Sequence, residues 1–247
     1  MDDKTHKVMI TERAEEAEYY AAHQMPYIVW LNEQNHGEHF PSGSYCVENL
    51  SDIDARYLDR VYRRFYDIPW DITETARLRI REIAVADVPK LYELYSDARV
   101  TQFMEPLLAD PEQEALYTKE YIDNVYRFYG YGMWVLEEKT SGQVIGRAGL
   151  EYKEGFEGLE LGFMLGTAYQ HRGYAYEACS AILAYGVGEL GQRVFCSHID
   201  ENNTASIRLC ERLGFAAQGK VRLNELDSDG RMTEKEFVQY IYRADTQ

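Results

Sequence analysis

The sequence predicts an α+β protein in two parts, and three observations carry that expectation. Tyr27 to Leu31 (YIVWL) is an unbroken apolar run, rich in β-branched and aromatic residues, behind a helical pattern from Glu12 to His23. Strands of that texture are buried on both faces, as in a parallel βαβ unit. Arg77 to Ile83 (RLRIREI) alternates polar and apolar strictly, the period of an antiparallel strand with one wet face. Met133 to Glu138 and Val144 to Glu151 flank the turn residues Thr140, Ser141 and Gly142, which reads as a hairpin.

Along the chain, Lys7 to Thr11 is a short strand, Glu12 to His23 a helix and Tyr27 to Leu31 a second strand. A polar loop over residues 32–43 leads to Ser44–Val47, and Ser51, with Asp54 three residues on, is expected to cap a helix running to about Tyr66. Together these form a βαβα extension over residues 1–74, closed by Pro69, with the domain boundary placed where the alternating pattern begins. From there follow helices at Val85–Tyr95 and Pro111–Phe128, the hairpin, a strand at Gly158–Leu165, a loop from Gly166 to Arg172 and a helix from Gly173 to about Leu190. Strand Arg193–Ile199, helix Asn203–Leu213 and strands near Phe215–Val221 and Glu236–Tyr242 complete a second domain over residues 75–247. The helix before the hairpin is rich in tyrosine, and its aromatic spacing is expected to pack a core face.

Composition excludes several classes. With 26 Lys and Arg against 42 Asp and Glu, the formal charge is −16, which disfavours extended contact with a nucleic-acid backbone. The two parts carry net −8 each, so the acidity is spread rather than focused. No apolar run reaches the roughly 20 residues of a spanning helix, and the start lacks a signal-peptide pattern; a cytoplasmic protein without membrane association is expected. Cys46, Cys179, Cys196 and Cys210 form no CxxC pair, and His36 with His39 lacks HExxH spacing, so no disulfide framework and no metal are expected.

The chemistry lies in the passage from Leu161 to Ala178. It runs from strand through loop into helix, where a helix start presents unpaired N–H groups at the positive end of the dipole. Gly173 and Ala175 let an anion approach the main chain closely, Arg172 adds charge, and the junction suits a pyrophosphate. Neither a P-loop nor GxGxxG is present, and coenzyme A fits best among nucleotide-type cofactors.

Gln170-x-x-Gly173-x-Ala175 matches the Q/R-x-x-G-x-G/A pattern of the GNAT (GCN5-related) N-acetyltransferases, and Tyr169 to Ala178 (YQHRGYAYEA) resembles their ribosomal-protein-alanine acetyltransferase branch. About thirty residues downstream, Asn203 to Phe215 (NTASIRLCERLGF) resembles the family's N-x-x-S helix ending in K/R-L-G-F. The likeness covers about Thr75 to Val221 and leaves the first 74 residues outside it. It implies the GNAT acyl-CoA acyltransferase fold, a mixed, mostly antiparallel sheet with a splayed parallel pair, Gly158–Leu165 and Arg193–Ile199. Acetyl-CoA is then expected in the opening: backbone of Phe163, Met164 and Leu165 along the pantetheine, amides of His171, Arg172, Gly173, Tyr174 and Ala175 on the pyrophosphate, and Asn203 beside the pantetheine.

The resemblance further implies direct attack of an amine on the thioester, with a protein N-terminus or a small-molecule amine as acceptor. Glu160 is the expected proton acceptor, directly or through a water, against the reading that it sits on an exposed strand face near Glu137, Glu151 and Glu157. Many members place a tyrosine acid where this chain has Cys210, so Ser206, one helical turn earlier, is the expected donor to sulfur, against a packing role. Two other readings stand beside catalysis: a CoA-binding regulatory module without turnover, and an interaction role in which residues 1–74 dock a partner or pair two copies in a homodimer.

Overall fold

Residues 7–226 and 232–244 are described in the computed structural model, and contacts divide the chain after Trp70. In the first unit, β1 (Met9–Thr11), β2 (Tyr27–Trp30) and β3 (Tyr45–Val47) form a parallel sheet in that order. Successive residues of β2 point to opposite faces, and both faces are covered. Tyr27 and Val29 pack with Ala17 of α1 (Ala14–Ala22), whereas Ile28 packs with Val47 and with Val61 of α2 (Ala55–Phe65). Burial on both sides is why the β2 sequence is apolar without alternation. The long β2–β3 loop is held by buried Asn35, whose amide donates to the carbonyls of Glu12 and Trp30 at 2.8 Å and accepts from Asn32 N at 2.8 Å. Asp54, rather than Ser51, caps α2: its carboxylate accepts from Tyr57 N at 2.7 Å, while Ser51 lies in a separate 3-10 turn, Leu50–Asp52. An Asx side chain three residues before the amide it caps outcompetes the earlier serine.

The second unit is built on an eight-stranded sheet. Its strands are β4 (Asp71–Glu74), β5 (Leu78–Arg81), β6 (Met133–Glu138), β7 (Gln143–Tyr152), β8 (Leu159–Leu165), β9 (Val194–Ile199), β10 (Ala216–Leu226) and β11 (Met232–Arg243). The order is β10-β11-β9-β8-β7-β6-β5-β4, antiparallel throughout except for the parallel β8–β9 pair. Strand β4 was not evident in the sequence; it pairs with β5 as an edge, so residues 71–74 belong to this sheet. The alternation of β5 is explained by its two faces: Leu78 and Ile80 are fully buried, whereas Arg79 and Arg81 meet Asp71, Glu137 and Asp87 at 2.5–2.9 Å. The β10–β11 hairpin is longer than the apolar pattern predicts, because its outer rungs are joined by exposed charge pairs, Lys220–Glu236 and Arg222–Glu234.

Helices α3 (Val88–Tyr95), α4 (Ala98–Thr101), α5 (Pro111–Tyr121), α6 (Arg127–Tyr129), α7 (Tyr174–Gly188) and α8 (Thr204–Leu213) complete the unit. The single helix expected before the hairpin is interrupted by a π-helical turn over Ile122–Tyr126. A five-residue turn brings Tyr121 and Tyr126 to one side, their rings 5.3 Å apart and edge to face. Tyr126 is fully buried as a core residue, whereas Tyr121 borders a cleft. Among the described residues no helix is long and apolar enough to cross a membrane.

Candidate active site

The cleft starts from an interruption in the sheet. Strands β8 and β9 pair only at Leu159–Phe195 and Glu160–Cys196, yet β8 continues along β7 to Leu165. From Leu161 onward the other edge of β8 has no strand partner, the geometry of a splayed parallel pair. Ser197 Oγ donates to the Leu161 carbonyl at 3.1 Å across the start of the opening. The resulting cleft, of about 490 Å³, is bordered by Glu160, Phe163, Met164, Asn203 and Ser206.

At its far end the chain turns into α7. His171 (φ 59°) and Gly173 (φ 81°) adopt left-handed backbone, which costs a side chain at His171 and is free at Gly173. The amides of His171 to Ala175 have no backbone carbonyl partner among the described residues, so they converge as donors at a helix start. This turn is braced from three sides. Gln170 Nε2 donates to the Leu165 carbonyl at 2.9 Å, so Gln170 shapes the loop. Arg77 Nη1 donates to the Arg172 carbonyl at 2.9 Å, and its guanidinium lies 4.1 Å from the Tyr174 ring centre. Glu177 in turn accepts from Arg77 Nε at 2.6 Å, from Arg77 N at 2.9 Å and from the Thr75 hydroxyl at 2.5 Å. The Tyr174 hydroxyl donates to Glu138. An amide-bearing pantetheine chain matches the open β8 edge, and a diphosphate matches the amide-lined turn.

Asn203 caps α8, its Oδ1 accepting from Ser206 N at 3.2 Å, and the residue borders the cleft. The Ser206 hydroxyl has no hydrogen-bond partner among the described residues. Cys210 is fully buried, and burial pushes its thiol up to about 11, making it a poor nucleophile at neutral pH.

At the splay point Glu160 and Glu151 are directly opposed on neighbouring strands. Burial favours the protonated Glu160 carboxyl, but His198 Nδ1 at 2.8 Å and Lys153 Nζ at 3.3 Å outweigh it and hold the group below the usual carboxylate range. Glu151 shows the reverse. It opens on the cleft's solvent, yet the surrounding walls, helped by the like charge of Glu160, raise its carboxyl above the ordinary value. Tyr121 joins them: its hydroxyl donates to Glu151 Oε1 at 2.9 Å and accepts from Met133 N at 2.7 Å. Burial raises the Tyr121 phenol and keeps it a donor. Two such carboxylates at one rung, one held ionised and one of raised proton affinity, can take a proton from an approaching ammonium.

His198, Lys153, Tyr121 and Arg147 also border the cleft, and neither Lys153 nor Arg147 was evident as a site residue in the sequence. The His198 side chain is buried and grips Glu160 through both Nδ1 and the backbone amide. Glu151 had a legible signal, since the hairpin register places it opposite Glu160. Among the described residues no group of three or more His, Cys, Asp or Glu side chains is placed to hold a metal ion.

Comparison with known proteins gives a consistent result. The model of the acetyltransferase (GNAT) domain matches residues 77–216. The chain is 30% identical over 154 residues to YkkB of Bacillus subtilis (strain 168), covering 60% of this chain and 87% of that protein. It is 29% identical over 146 residues to the N-acetyltransferase YnaD of the same organism, covering 59% and 82%. Among solved structures, the ribosomal-protein-S5-alanine acetyltransferase of Vibrio fischeri superposes with a TM-score of 0.59 at 14% identity, over 72% of this chain and 98% of that one. RimL, a ribosomal L7/L12 alpha-N-protein acetyltransferase in complex with coenzyme A, superposes with a TM-score of 0.58 at 17% identity, over 70% and 97%.

Proposed function

The chain belongs to the GNAT acetyltransferase family, and from that premise we propose that it transfers the acetyl group of acetyl-CoA to a primary amine, by direct attack in a ternary complex. The observation that carries this reading is the broken β8–β9 ladder, with donor amides at one end and the Glu151–Glu160 pair at the other.

Acetyl-CoA supplies the activated acyl group when bound. The open edge of β8 at Phe163 to Leu165 holds the pantetheine like an added strand, and the amides of His171 to Ala175 receive the pyrophosphate. Asn203 reaches the pantetheine side. Glu160, with Glu151 across the rung, takes a proton from the acceptor ammonium, directly or through a water. The freed nitrogen attacks the thioester carbonyl carbon, so that the N–C bond forms, the C–S bond breaks and the sulfur leaves as thiolate. A backbone amide of β8 stabilises the developing oxyanion, and the second proton, which the nitrogen loses as the adduct collapses, is relayed to the thiolate through the Ser206 hydroxyl, which ends as it began. Acceptors of this reaction are small-molecule amines or protein N-termini.

Incubation with acetyl-CoA and a broad set of peptide α-amines, amino acids, polyamines and aminoglycosides should release free thiol. Loss of that release in Glu160→Gln and Ser206→Ala would tie it to these groups. Silence across the whole set, with CoA shown to bind, refutes turnover and leaves the reading favoured by the buried Cys210, a CoA-binding module without catalysis.

A further inference from the structure

We propose that Arg147 anchors a carboxylate on the acceptor, so that the amines acetylated here carry a carboxylate of their own; the inference rests on the acetyl-transfer reading of the same cleft. Arg147 lies on β7, opposite Met164 of β8 and Val135 of β6, and borders the cleft. Its Nε is shielded from solvent and has no hydrogen-bond partner. No carboxylate pairs with its guanidinium among the described residues, and the polar groups around it are the hydroxyls of Tyr95, Tyr121 and Tyr126. The arginines of β5 behave differently: Arg79 and Arg81 each meet carboxylates at 2.9 Å or closer. A shielded guanidinium without a counterion is costly, because the desolvation is not offset by a pair.

The acidic groups of the cleft are committed elsewhere. Glu114 accepts from Leu108 N at 2.9 Å, Glu151 from Tyr121, and Glu160 from His198 and Lys153. A carboxylate arriving with the acceptor would meet a planar guanidinium fork that no other carboxylate holds among the described residues.

The register also sets where such an acceptor lies. Gly149 and Gly162 form the rung between Arg147–Met164 and Glu151–Glu160, and the Gly132 carbonyl and the Met133 thioether lie over that rung, so the guanidinium and the carboxylate pair stand at either side of this cover. Arg147 and Glu151 are four residues apart on one strand, roughly 13 Å between Cα atoms. The amine then faces Glu151 and Glu160 beside the splay point, and the carboxylate faces Arg147.

Matched acceptors test this: the common L-amino acids against their amides for an α-carboxylate, and Asp-Ala amide against Asn-Ala amide for the acidic N-terminus of a peptide. In the unmodified protein kcat/KM for the acid should exceed that for its amide about 10- to 100-fold in one arm, the range of a hydrogen bond to a charged group. In Arg147→Met the ratio should collapse toward one through KM, and Arg147→Lys should retain part of it. Equal rates for acids and amides, or a ratio that survives Arg147→Met in a protein of unchanged melting temperature, overturn the proposal while leaving acetyl transfer intact. If no amine turns over, acetyl transfer fails, and calorimetry with N-acetyl amino acids and their amides decides the Arg147 site alone. Acid-selective binding lost in Arg147→Met upholds it, and binding without acid selectivity overturns it.

Discussion

Glu177→Gln removes the charge that fastens the β4–β5 connection, at Thr75 and Arg77, to the turn at the head of α7. The carboxylate accepts three hydrogen bonds, from Thr75 Oγ1 at 2.5 Å, Arg77 N at 2.9 Å and Arg77 Nε at 2.6 Å, and Arg77 Nη2 adds an ion-pair contact at 2.6 Å. Glutamine keeps one oxygen for some of these donors but sets an NH2 group against the guanidinium. Hydrogen bonds to a charged group contribute about 1.5–3 kcal/mol each when buried. The Glu177 side chain is 19% exposed and that of Arg77 41%, so solvent screening removes much of the ionic part, and a net loss of about 2 kcal/mol is expected. For a chain of this size that lowers the melting temperature by about 4–8 °C. The hydrogen bonds of Glu177 hold its carboxyl below the ordinary value against the effect of burial. Its contribution is therefore complete above the unfolded carboxylate range and is lost as pH falls through the lower folded value, so the gap between the two proteins should close in acid. Scanning calorimetry at several pH values reads both effects. Because Arg77 also holds the Arg172 carbonyl, the KM for acetyl-CoA should rise with little change in kcat. A variant that melts within about 1 °C of the unmodified protein at neutral pH and keeps its KM refutes the clamp.

Further expectations follow from single contacts. Glu151 is raised by its surroundings and by the charge of Glu160, so kcat/KM should fall on the acid side above the ordinary carboxylate value, and Glu160→Gln, besides slowing turnover, should move that limb to lower pH. An unmoved limb in the residual activity refutes coupling within the pair. Gly149→Ala places a Cβ 2.1 Å from the Gly132 carbonyl oxygen, a backbone clash, and should cost about 1–3 kcal/mol by thermal melting. Asn203→Ala removes the α8 cap and should cost about 0.5–2 kcal/mol, with a weaker hold on CoA measured by calorimetry.

Local signals in the sequence were strong where one element supplies its own reasons. The two-sided burial of β2, the alternation of β5 and the glycine at the head of α7 each depend on residues a few positions apart, and each is found where the pattern placed it. Strand β4 and the outer β10–β11 rungs were not legible, since an edge strand and a charged hairpin bury little and leave no apolar period. The π turn at Ile122–Tyr126 was hidden for a related reason: its five-residue advance is visible only once Tyr121 and Tyr126 both reach Met133.

By itself, then, the sequence determined most of the elements, the family and the glycine turn at the head of α7, because each rests on local periodicity or a contiguous motif. The tertiary structure alone decided the chemistry of the cleft. Glu160 and His198 are 38 residues apart, and Arg77 and Glu177 are 100 apart. The proton affinity of a carboxylate and the isolation of Arg147 depend on which groups the sheet register brings within a few ångströms, which no local pattern records.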